Sequence, residues 1–116
     1  MKATIWHNNR CSNSRGALAL LQEAGVDVEV INYLETPPSA AQLRSLLDEM
    51  GMPARELLRS KEPAYAELGL ASRLDDEPAL IAAMSQHPAL INRPIVRTAK
   101  GTALCRPPET VRTLID

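Results

Sequence analysis

Residues 3–30, ATIWHNNRCSNSRGALALLQEAGVDVEV, change their periodicity twice, and the order of the changes decides the fold. Ala3 to Trp6 is a short run of β-formers that breaks at His7-Asn8-Asn9-Arg10, the mark of a strand entering a loop. After Cys11 the apolar residues Ala17, Leu20, Leu21 and Ala24 fall at i, i+3, i+4 and i+7. That is the stripe of a helix beginning near Ser12, and Gly25 stands where a C′ glycine would stop it. Val26, Val28 and Val30 then alternate with Asp27 and Glu29, which predicts a strand with one wet face at a sheet edge. Strand, helix and strand within about 30 residues make a βαβ unit, and a helical crossover of this kind joins parallel strands.

Downstream, Pro37-Pro38 ends the second strand, and Ser39 with Gln42 forms a capping box for a helix running to about Met50, closed by Gly51. Pro53 is suited to the first turn of another helix, with Leu57 and Leu58 inside it and Arg55 and Arg59 four apart on one face. A third helix follows Asp75-Asp76-Glu77-Pro78, carries Leu80, Ile81 and Met84, and halts at His87-Pro88. Ile95 to Thr98 and Thr102 to Cys105 read as a hairpin with the three-residue loop Ala99-Lys100-Gly101. Pro107-Pro108 opens a last helix with Val111, Leu114 and Ile115 on its apolar side. The expectation is an α/β chain with a mixed four-stranded sheet.

At 116 residues with 45% hydrophobic residues, the chain has core enough for one domain and too little for two. A formal net charge of −1 provides no global basic field for nucleic acid or an anionic membrane. Three aromatic residues, Trp6, Tyr33 and Tyr65, leave no stacking platform for single strands or flat cofactors. Ten of the thirteen basic residues are arginine, a bias suited to bidentate grip on an oxyanion and equally produced by a high-GC genome. The two cysteines, Cys11 and Cys105, and two histidines make neither a disulfide framework nor a convincing zinc site. With no signal-peptide stretch or membrane-length apolar run, a reducing, cytoplasmic setting is expected.

The chemistry concentrates at Cys11, in a loop that leaves a strand and enters a helix N-terminus. Unpaired amides and the helix dipole stabilise an anion there. Lowering a thiol pKa from ~8.5 by about two pH units, roughly 2.7 kcal/mol, makes it mostly thiolate at neutral pH. The setting of Asn8, Asn9, Arg10, Ser12 and Asn13 is polar, which favours a reactive thiol over a buried apolar one. His7 and Arg15 add hydrogen-bonding or positive groups; His7 either tunes the thiol or finishes the strand. Ser14 makes the motif C-x-x-S, so an oxidised Cys11 must be resolved from outside. Cys105 and Arg106 fall on opposite faces if the strand extends that far, which makes Cys105 a core residue.

HNNRCSNSR, residues 7–15, resembles the H-N-x-x-C-x-x-S-R signature of the glutaredoxin-dependent arsenate reductase family, the ArsC type. The likeness continues through YLETPP, MGMPARELLR, KEPAYAELGL, QHPALINRPIV and LCRPPE, that is, along the whole chain. The resemblance implies one thioredoxin-like (glutaredoxin-like) domain over residues 1–116 with a helical insertion at about 39–88. It implies that Cys11 attacks arsenate and that Arg59, Arg93 and Arg106 bind the oxyanion, with His7, Asn8, Ser14 and Arg15 shaping the loop and the thiol pKa. It further implies a cis Arg93–Pro94 bond, glutathione as co-substrate, glutaredoxin as reducing partner, arsenite as product, and no tightly bound cofactor. Asn9 stands where many members have proline. The chain ends at Asp116 where longer members carry a tail, so it looks closest to the short arsenate-reductase-like branch.

Two other readings share this fold. Spx-type regulators bind RNA polymerase and sense redox state through C-x-x-C, which Ser14 removes here. A monothiol thiol-disulfide oxidoreductase of other substrate would turn over without arsenate.

Overall fold

In the computed structural model, which describes residues 1–115, the elements follow in the order β1 (Lys2–His7), α1 (Ser12–Glu23), β2 (Asp27–Asn32), α2 (Ala40–Met50), α3 (Ala54–Leu57), α4 (Pro63–Glu67), α5 (Glu77–Gln86), β3 (Ile95–Thr98) and β4 (Gly101–Leu104). Short 3-10 helices occupy Leu70–Ser72, Pro88–Leu90 and Pro108–Leu114. The chain divides into two units, one made of Met1–Thr36 with the residues from Arg93 onward, the other of Pro37–Asn92.

The first unit carries the sheet, in the order β2-β1-β3-β4. β1 runs parallel to β2 and antiparallel to β3, and β3 pairs antiparallel with β4. This is the mixed four-stranded sheet of a thioredoxin-like fold. β2 takes the edge that its alternating valines and acids predict, although Val30, opposite the fully buried Ile5, is 47% exposed. The core joins Ala3, Ile5 and Val96 of the sheet to Ala17 and Leu21 of α1 and to Cys105, Val111 and Leu114. Gly25 does end α1, with φ +74°, a left-handed turn that a side chain would disfavour. On the sheet, the Arg97 guanidinium lies 5.1 Å from the centre of the Trp6 ring, a cation–π contact of about 0.5–1 kcal/mol.

Two expectations are corrected in this unit. The hairpin pairs Thr98 with Gly101, so its turn is the two residues Ala99-Lys100 and Gly101 already belongs to β4. The terminal helix, of the 3-10 kind, ends at Leu114 and leaves Ile115 extended beyond it; burying Val111 and Leu114 needs only i, i+3 spacing, which three residues per turn supply as well as 3.6.

The second unit is helical. Ser39 and Gln42 form the capping box, and α2 presents Leu43, Leu46 and Leu47 to the interior. α5 starts behind the Asp76 cap and buries Leu80, Ile81, Ala83 and Met84. The Glu77 carboxylate accepts from the Ala54 N–H at 2.8 Å, which satisfies a free amide at the start of α3. Here the Pro53 helix is shorter than its spacing predicts. Pro53 is the N-cap, α3 stops at Leu57, and Leu58 turns into an antiparallel bridge with Ile91. The Arg59 N–H donates to the Leu90 carbonyl at 2.8 Å and the Asn92 N–H to the Leu57 carbonyl at 2.9 Å. Arg59 therefore lies past the helix and does not share a helical face with Arg55.

Candidate active site

Strand register collects the site. Trp6 lies opposite Ile95, and Ile95 opposite Leu104, so the end of β1, the start of β3 and the end of β4 stand side by side. The Cys11 loop leaves the first, Arg93-Pro94 enters the second, and Cys105-Arg106 leaves the third. Residues 11, 93 and 106 thus meet although they are far apart in sequence. The Arg93–Pro94 bond is cis, as is Arg106–Pro107.

The loop between β1 and α1 is closed by its own asparagines. The Asn8 carbonyl accepts from the Cys11 N–H at 3.0 Å, and the Asn8 side-chain oxygen accepts from the Arg10 N–H at 2.9 Å. The Asn8 N–H donates to Ser14 Oγ at 3.0 Å. Ser14 Oγ lies 2.6 Å from His7 Nδ1, a buried hydrogen bond whose donor is set by the imidazole tautomer. His7, Asn8 and Ser14 are all buried. Arg15 Nη1 donates to the Asn9 carbonyl at 3.0 Å on the exposed side of the loop. Asn9 is thereby tied down through its carbonyl.

Cys11 is the N-cap of α1, partly exposed and extended in backbone. Its side chain makes no cap hydrogen bond as it stands, yet the surroundings favour its anion. Burial pushes the thiol pKa up, but the Ser14 amide, the Arg93 side chain and the Asn13 amide together outweigh burial and hold it below the ordinary thiol value. His7 and Ser14 form a buried hydrogen-bonded pair at this loop.

Arg106 completes the arrangement. Its Nη1 lies 3.7 Å from Cys11 Sγ and donates to the Arg93 carbonyl at 3.0 Å. The Asn13 carboxamide, with its oxygen toward the guanidinium so that an acceptor faces the donors, accepts from Nη2 at 3.2 Å and Nη1 at 3.3 Å. Asn13 is the contributor that the sequence reading missed. Its position two residues after Cys11 places its amide at the helix end, but nothing in the sequence tells that its side chain meets a residue 93 positions away.

Two further candidates are Cys105 and Arg59. Cys105 is fully buried in the core, and burial pushes its pKa up to about 12. Arg59, in the helical unit, is held by Glu62 at 3.3 Å and by Asn92 at 3.5 Å. Among the described residues no group of three His, Cys, Asp or Glu could hold a metal ion, and no helix is long and apolar enough to cross a membrane.

The ArsC family model matches residues 6–114. The chain belongs to the ArsC family. Among ArsC-family relatives it is 48% identical over 112 residues to "Arsenate reductase" of Escherichia coli, covering 97% of this chain and 79% of that one. It is 52% identical over 112 residues to "Uncharacterized protein YfgD" of Escherichia coli strain K12, covering 96% and 94%. The solved "Arsenate reductase from Vibrio cholerae" superposes with a TM-score of 0.94 at 43% identity, covering 99% of this chain and 98% of that one.

Proposed function

We propose that the protein is an arsenate reductase that uses the Cys11 thiolate as nucleophile and takes its electrons from glutathione, with glutaredoxin completing the cycle. The observation that carries this reading is the meeting of a thiol of lowered pKa with Arg93 and Arg106 at a helix N-terminus. Arsenate is mostly a dianion near neutral pH, and guanidinium groups can hold its oxygens while the sulfur approaches arsenic. The sulfur displaces one arsenate oxygen, which leaves as water after protonation, and a S–As bond forms. A glutathione thiolate then attacks the Cys11 sulfur; the S–S bond forms, the S–As bond breaks, and its electron pair stays on arsenic. Arsenic leaves as arsenite, and glutaredoxin reduces the Cys11–glutathione disulfide. A resolving thiol from outside suits a chain in which Ser14 faces His7 and Cys105 is buried.

Family resemblance adds Arg59 to the oxyanion ligands, and its part is read from the Arg59→Lys variant. Free thiols at both cysteines suit a reducing, cytoplasmic setting. The test is arsenite release from arsenate with glutathione and glutaredoxin, omitting each in turn. Release that needs all three supports the reading. Glutathione-dependent disulfide exchange that proceeds equally without arsenate would replace it with a monothiol oxidoreductase.

A further inference from the structure

The guanidinium of Arg106 is spoken for before any anion arrives. Nη1 is anchored by the Arg93 carbonyl at 3.0 Å, and the end of the fork, Nη1 with Nη2, is filled by the Asn13 side-chain oxygen at 3.3 and 3.2 Å. The same Nη1 is the nitrogen 3.7 Å from Cys11 Sγ. An oxyanion whose central atom bonds to that sulfur must bring an oxygen close to Nη1. The fork nearest the reaction is therefore the one that Asn13 fills.

We infer that the Asn13 carboxamide oxygen is a stand-in for a substrate oxygen, and that the oxyanion binds Arg106 by displacing it. Asn13 is then a residue that sets the affinity and selectivity of the anion site rather than one that builds the fork. The anchor from the Arg93 carbonyl supports this division, because it keeps Arg106 beside the thiol when Asn13 lets go. A neutral amide is the suitable competitor. It forms weaker hydrogen bonds than a charged oxygen, so a dianion displaces it readily and a poorly charged anion does not. A carboxylate in its place would form an ion pair with Arg106 and close the site. Loss of the side chain would leave the fork open while retaining the backbone amide that faces Cys11.

This inference rests on Cys11 and Arg106 forming an oxyanion site, and its test does not require turnover. Cys11 alkylation by iodoacetamide is followed in the wild type, Asn13→Ala and Asn13→Asp against increasing sulfate or arsenate, each normalised to its own anion-free rate. The expected result is that Asn13→Ala lowers the half-protecting anion concentration three- to tenfold and Asn13→Asp raises it at least tenfold. The KM for arsenate should move in the same two directions. Protection that weakens in Asn13→Ala would overturn the inference and make Asn13 a holder of Arg106. Unchanged protection in both variants, or no protection of the wild type by either anion, would overturn it as well. Normal anion protection with no arsenite release would instead count against the arsenate reading and leave the role of Asn13 standing. Thermal melts confirm that both variants fold, and Asn13→Gln, which keeps the amide on a longer stem, should fall between wild type and alanine.

Discussion

Gly16→Ala offers a test in which two opposing effects can be weighed on the structure. Replacing glycine by alanine inside a helix ordinarily stabilises by about 1 kcal/mol. At position 16, however, a Cβ would stand 3.0 Å from Pro108 Cγ and 3.2 Å from Pro108 Cβ. Those separations require a retreat of a few tenths of an ångström. The neighbour is poorly able to give it. Pro108 is a rigid ring that opens the final 3-10 helix, and that helix is pinned by the buried Val111 and Leu114. Overpacking of this kind costs roughly 1–3 kcal/mol, so the clash should win, with a net loss of about 1 kcal/mol and a melting temperature lower by about 4 °C. Pro108 follows Arg106 by two residues, so the retreat should also disturb the guanidinium and lower kcat/KM. Reversible thermal or urea unfolding measures the first effect and arsenite release the second. In a double-mutant cycle, Gly16→Ala with Pro108→Ala should cost less than the two single changes added together. A Gly16→Ala protein more stable than wild type would refute the reasoning, since it would mean that propensity outweighs the contact.

Cys11→Ser should abolish reductase activity, while Cys105→Ala should retain most of it and lose about 1 kcal/mol of stability for the smaller core side chain; equal losses of activity in folded proteins would contradict the single-thiol site. Alkylation of Cys11 against pH should titrate below the ordinary thiol value, and sulfate or arsenate should raise the apparent midpoint by competing for the same amides and arginines. Because this pKa is lower in the folded chain than in the unfolded one, its stabilisation is fully present above the unfolded value and is lost as pH falls through the folded one. Cys105 has the opposite sign: with its pKa raised to about 12, it should destabilise the fold as pH rises above the ordinary thiol value. Arg93→Lys and Arg106→Lys should each lower kcat/KM for arsenate by one to three orders of magnitude, roughly 1.4–4 kcal/mol, since lysine keeps the charge and loses the fork. Arg59→Lys is expected to do likewise, whereas Arg73→Lys and Arg112→Lys, at exposed positions, should be nearly neutral.

What could be read in the sequence was whatever a local pattern enforces. The stripe of α1, its glycine stop, the capping box at Ser39 and the edge character of β2 all follow from spacing, and so does the placement of Cys11 at a helix end. α4 has no such stripe to announce it, for none of its residues is buried. α3 ends early because Leu58 finds a strand-like partner in Ile91, more than thirty residues away, and propensity does not register a partner at that distance. The full burial of Ser14, whose hydroxyl is shared by His7 and Asn8, is announced by no local pattern. The two arginines beside Cys11 were named by family likeness, and only the pairing of β1, β3 and β4 explains how they come to be there.

That pairing has a consequence for how the protein can fail. Arg93 and Arg106 flank the two strands of one hairpin, so a single alignment of Ile95 against Leu104 brings both to the thiol. A slip of one residue would turn the strands' inward side chains outward and carry both guanidinium groups off target together. Misaligned molecules would then be silent rather than partly active. Specific activity in a preparation would accordingly count the molecules with the correct alignment, and a variant that weakens the hairpin should lose active molecules while those remaining keep full turnover.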